Sequence, residues 1–198
     1  MGATVFWSQI TIPGKPSLLV VDSSRNAQGW EAEFCGRIFK VLYRKGMHLV
    51  GEAPLRVDRP QDLYESFLNQ EAFNCIFLVG QGPGPHIPEE SNLSCYWGWL
   101  SSYEGLTPKL LAVCTCEDHD PDTSQSILAA EDSFAQLAIV PQSPLSPRAA
   151  GLFFLKFFTE LELHAADAIT GRTVWFSRSK ARELLRRRHL PGEIGMRA

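Results

Sequence analysis

Short, unbroken apolar runs alternate along this chain with longer stretches in which apolar residues recur every three or four positions. The first pattern is what a strand buried on both faces requires, and the second is that of an amphipathic helix. "SLLVVDSS" (17–24), "NCIFLVG" (74–80), "KLLAVCTC" (109–116) and "AQLAIVPQ" (135–142) are of the first kind, and "MHLVGEAPLRV" (47–57) reads as a further strand. Between them, "NAQGWEAEFCGRIFKVLYRKG" (26–46) carries Trp30, Phe34, Ile38 and Val41/Leu42 at helical spacing, with Gly46 where a helix stops. "RPQDLYESFLNQEAF" (59–73) opens with a first-turn proline and sets Leu63, Phe67 and Leu68 on one face. "CYWGWLSSYEG" (95–105), "DTSQSILAAEDSF" (122–134) and "SPRAAGLFFLKFFTELEL" (146–163) complete the predicted helices.

The alternation of strand and helix predicts a three-layer α/β/α sandwich around a mostly parallel sheet, because parallel strands need crossovers that cover the sheet faces. No repeat, low-complexity segment or linker divides the sequence, so residues 1–198 are read as a single domain. An irregular N-terminal segment (1–16) and a helical tail (164–198) flank it. The last long helix is apolar nearly all round at "GLFFLKFF", which predicts burial on two sides, one of them against a neighbouring element, a further domain or a second copy.

Composition narrows the picture. Apolar residues make up 44% and charged residues 21%, so a packed core is expected. The net charge of −3 excludes a wholly basic nucleic-acid binder, and the one dense basic run, "RSKARELLRRRH" (178–189), is read as a solvated helix. Five scattered cysteines, three within apolar patterns, fit reduced buried thiols in the cytoplasm and not a disulfide framework. No stretch of 18 apolar residues occurs, so no membrane span is expected.

In an open parallel sheet, sites form beyond the carboxyl ends of the strands. "VGQGPGP" there lacks the phosphate-loop lysine and the G-x-G-x-x-G spacing, and its prolines remove backbone donors. "CTCEDH" offers Cys114, Cys116, Glu117, Asp118 and His119 as metal ligands, yet no second ligand pair with suitable spacing accompanies them. No metal or cofactor is therefore expected. A thiol nucleophile at Cys116, ending an apolar strand, is the remaining chemistry, and it needs a base and oxyanion donors. A one-pair slip would make Cys114 the thiol instead. The aromatic cluster "CYWGWLSSY" (95–103) reads either as core packing or as a partner surface.

On these motifs the sequence resembles the CHAT domain, a caspase-related cysteine-peptidase module with a His-Gly pair ending one strand and a catalytic cysteine ending the next. "LLAVCTCED" is similar to the cysteine motif, with Cys116 and Glu117 on its Cys-Glu. "FLVGQGPG" is similar to the His-Gly motif, with Gln81 and Gly82 on that pair, and "PLSPRAAGLFF" is similar to the turn and helix downstream. The resemblance covers roughly residues 17–163. It implies a caspase-hemoglobinase-like fold, with Cys116 as nucleophile and Gly82 as an oxyanion donor. The departure is Gln81, since a glutamine amide has no usable pKa near neutrality and cannot take the thiol proton.

The leading expectation is thus a degenerate cysteine-peptidase centre in a binding or regulatory module for a protein or peptide, with a homodimer also considered and neither nucleic acid nor membrane as partner. The first alternative is an active endopeptidase in which His86, five residues past Gln81, replaces the missing base; His119 would have to fold back more sharply. The second is an unrelated flavodoxin-like domain binding a small molecule.

Overall fold

The computed structural model describes residues 10–23, 30–57, 62, 73–80, 109–115, 135–141, 143, 145–191 and 194–197. Among them, two strands at the start, β1 (Thr11–Pro13) and β2 (Ser17–Asp22), precede helix α1 (Trp30–Arg44) and two short strands, β3 (His48–Leu49) and β4 (Leu55–Arg56). Then come β5 (Cys75–Gly80), β6 (Lys109–Thr115), β7 (Ala135–Pro141), helix α2 (Pro147–His164), β8 (Ala168–Thr170), helix α3 (Gly171–Arg187) and β9 (Ile194–Arg197).

The architecture is mixed α/β. The main sheet runs in the order β3-β2-β5-β6-β7-β9, with β4 pairing β2 beyond β3. All of its pairings are parallel except that of β9, which closes the far edge antiparallel to β7. The unbroken apolar runs have their cause in this placement, since alternate residues of each strand enter two separate buried clusters. Leu18, Val20, Phe77, Val79, Ala112 and Ile139 belong to one, and Leu19, Val21, Ile76, Leu78, Val113 and Val140 to the other. Helices α1, α2 and α3 contribute to the first cluster, and Val57 and Phe73 to the second.

Helix α2 is the keystone of the first face. Ser146 caps it, its side chain accepting from the Ala149 amide at 3.2 Å, and Pro147 occupies the first turn, where its missing N–H costs nothing. Phe154 and Phe158 lie 4.6 and 5.3 Å from the Phe77 ring centroid on the sheet. Burial of Phe153, Phe154, Phe157 and Phe158 stabilises the fold by roughly 1.5–3 kcal/mol each. The second apolar side of α2 is covered by α3, whose buried face comprises Val174, Ser177, Ala181 and Leu185. All-round apolarity is therefore satisfied within the chain.

Several expectations change. The single strand over 47–57 is two short pairings interrupted by Gly51, whose φ of +80° is incompatible with extended backbone. The N-terminal segment is not wholly irregular, because β1 pairs antiparallel with β8. The tail is not wholly helical either: β8 joins that ribbon, and β9 carries the fully buried Ile194 into the main sheet. The expected helices over 95–105 and 122–134 lie outside the described residues, as does that over 59–73 apart from Asp62 and Phe73.

Helix ends follow local chemistry. After α1, the Met47 amide donates to the Leu42 carbonyl and that of Gly46 to Tyr43, with Gly46 at φ +85°. The same closure ends α3 with His189 at φ 51° in the glycine position, the Leu190 amide donating to Leu185. At the amino end of the sheet, the Asn74 side chain accepts from the Ser17 amide and donates to the carbonyls of Pro13 and Lys15, tying the β1–β2 connection to β5.

Candidate functional site

The carboxyl ends of β2, β5 and β6 form one lip. Their register runs Asp22↔Val79 between β2 and β5, then Val79↔Cys114 and Gly80↔Thr115 between β5 and β6. Gly80 and Thr115 are the last paired residues of adjacent parallel strands, which lie about 4.8 Å apart in any such ladder. Gln81 and Cys116 come next in sequence. Those two residues lie outside the described residues, and so do Gly82, His86, Glu117 and His119. What is described is the frame that leads to them: two neighbouring strands ending in register.

Cys114 can be assigned directly. It is fully buried in the cluster beneath α1 and α2, so its sulfur has no solvent access. A nucleophile must meet its substrate, and the slipped frame with Cys114 as the working thiol is corrected on that ground. Cys35 and Cys75 are likewise buried, and none of the three lies in a disulfide. They behave as small apolar side chains in the core.

The lip also holds a charged pair that the sequence pattern did not single out. Asp22, the last residue of β2, is 5% exposed, and its Oδ2 accepts from Nη1 of Arg56 on β4 at 3.3 Å. The Asp22 carbonyl accepts from the Val57 amide at 3.0 Å. Next to it, the amide and hydroxyl of Ser23 both donate to the Val79 carbonyl, at 2.9 and 3.0 Å. These bonds tie β2, β4 and β5 together at the carboxyl end of the sheet. A buried carboxylate needs such a partner, because removing it from water unpaired costs several kcal/mol. The signal in the sequence was an acid terminating the run "LLVVD"; its partner, 34 residues away, had none.

Among the described residues no group of three or more His, Cys, Asp or Glu side chains is arranged to hold a metal ion. Among them, too, no helix is long and apolar enough to cross a membrane. No known protein-family model matches the chain, and no curated protein matches it.

Proposed function

We propose that the chain is a CHAT-like domain of caspase-related, three-layer fold whose peptidase centre is degenerate. It acts in the cytoplasm as a binding or regulatory module, engaging a protein or peptide through the loops beyond β5 and β6. The observation that carries this reading is the pairing of Gly80 with Thr115. Through it, Gln81 and Cys116 are successors of paired residues on neighbouring strands, each about 3.8 Å along the chain from a described Cα. The resemblance requires that neighbourhood, with one motif ending a strand and the other ending the next.

In this reading the amide of Gln81 stands where the family has its base. The thiol then lacks a proton acceptor, and loss of a general base lowers turnover by roughly 10²–10⁴-fold. Gly82 retains the backbone donor for an oxyanion, which is of use in holding a carbonyl without cleaving it. The order of the parallel strands, 2-1-3-4-5 counted along the chain, is shared with flavodoxin-like domains, so topology alone favours neither kinship. The paired motifs favour the CHAT-like one.

The test is restoration. The native chain should leave fluorogenic peptide substrates intact, and Gln81→His should gain hydrolysis that Cys116→Ala abolishes. A variant as silent as its parent removes Gln81 as the cause of inactivity. Native hydrolysis lost in both Cys116→Ala and His86→Ala establishes the active-peptidase reading instead. A thermal shift with flavin or nucleotide, and none with peptides, establishes the flavodoxin-like one.

A further inference from the structure

Helix α3 divides its charges between two flanks. Its single acid, Glu183, pairs with Lys180 at 3.7 Å and with Arg187, and Lys180 also lies 5.5 Å over the Phe176 ring. Arg178, Arg182 and Arg186 follow one another at four-residue spacing, so they share the other flank, and none has a carboxylate partner among the described residues. Trp175 lies on the same flank and is 45% exposed.

Arg178 is the most constrained of the three. Its Nε and one terminal nitrogen donate to the Ile194 carbonyl at the start of β9, the former at 2.7 Å, which fixes the guanidinium against the sheet edge. A guanidinium has five N–H donors, and those on the other terminal nitrogen have no acceptor among the described residues. Burial and the like charge of Arg182 together draw its pKa down to about 10. Two cations are thus neighbours on one flank, Arg178 partly out of water, with no carboxylate partner among the described residues. An anion seated between them relieves that repulsion.

The charge of the whole chain indicates what kind of anion. Residues 171–198 hold eight of the 19 Lys and Arg but only two of the 22 Asp and Glu. The remaining residues hold eleven basic against twenty acidic side chains, so a long polyanion lying across the molecule meets net repulsion. A short acidic segment confined to α3 does not.

We propose that the flank of α3 bearing Arg178, Arg182 and Arg186 docks an acidic segment of a partner protein, its carboxylates held by the guanidinium forks and an aromatic side chain resting on Trp175. The planar, bidentate fit of guanidinium to carboxylate and the indole face beside it supply the recognition. Ile194 pairs with Pro141 at the carboxyl end of β7, so this surface adjoins the same end of the sheet as the lip. It uses none of the lip's residues, and the proposal stands whether or not the thiol centre is degenerate.

The experiment is fluorescence anisotropy on the full chain with a fluorescein-labelled peptide of about twelve residues that alternates Glu with Phe. Saturable binding is expected, weakened at least tenfold or so by Arg182→Glu/Arg186→Glu, weakened by added salt, and unchanged by Cys116→Ala. The double variant alters only the flank beyond Arg178, and its circular dichroism and melting curve check that it folds. A matched peptide with Gln for Glu should not bind. No binding, equal binding of the Gln peptide, or affinity indifferent to the double variant overturns the proposal. Tighter binding of a single-stranded oligonucleotide of equal length, lost in the same variant, overturns it in favour of a nucleic-acid site.

Discussion

Gly80 of β5 is paired with Thr115 of β6, and they are the last residues in register on two neighbouring parallel strands. Continuation of that register by a single residue brings positions 81 and 116 opposite each other. Neighbours in a ladder have Cα atoms about 5 Å apart, within the range a disulfide spans. Gln81→Cys should therefore cross-link to Cys116 on mild oxidation, detected by mass spectrometry of a non-reduced digest. Cross-linking from position 82 in preference to 81 contradicts the alignment on which the functional reading rests.

Two glycines should respond in opposite directions. Gly36 lies inside α1, and a Cβ there meets nothing within 4 Å. Gly36→Ala should stabilise the protein by about 0.5–1 kcal/mol through helix propensity. Gly46 also has open space around it, but its φ of +85° closes α1, and Gly46→Ala should cost about 1 kcal/mol. Urea denaturation of the two variants reads the difference, and equal effects contradict the helix boundary.

Glu162 on α2 has a buried Oε2 without a hydrogen-bond partner among the described residues. Burial pushes its carboxyl above the ordinary 4.5, with Lys15 and His48 pulling the other way. The folded state then binds the proton more tightly than the unfolded chain does. Stability consequently falls as pH rises from the ordinary value through the raised one. Glu162→Gln removes the charge at nearly constant shape. Its melting temperature relative to the parent should rise between a pH below 4.5 and pH 7. An increment independent of pH contradicts the assignment.

The parts of this fold that are local in origin were legible before the structure. β2, β5, β6 and β7 announce themselves as unbroken apolar runs because both faces of the sheet are buried there. α2 announces a wide buried face because Phe153, Phe154, Phe157 and Phe158, with Ala149 and Leu161, take up about half of its circumference. What stayed hidden depends on distant partners. β9, the stretch "IGMR" with a glycine in its middle, has no strand signature of its own, and it is held by β7, by the burial of Ile194 and by Arg178. β3 and β4 read as one strand in the sequence because a glycine within an apolar stretch does not by itself declare the positive φ that Gly51 adopts. The Asp22–Arg56 pair was invisible for the same reason as β9, since neither residue carries local information about the other. At the candidate site, sequence supplied the names and the register supplied only the adjacency of the two strands that lead to them, and Cys114 changed from alternative nucleophile to core residue once its burial was known.

The most direct measurement is the pH dependence of Cys116 alkylation by iodoacetamide in the native chain, followed by peptide mapping. The proposed function sets an amide and no imidazole beside the thiol; on that reading Cys116 should react at the pace of an ordinary cysteine and titrate at about 8.5, unchanged in His86→Ala and His119→Ala. Rapid alkylation at neutral pH, with a titration shifted well below that value and abolished by His86→Ala, would contradict the account.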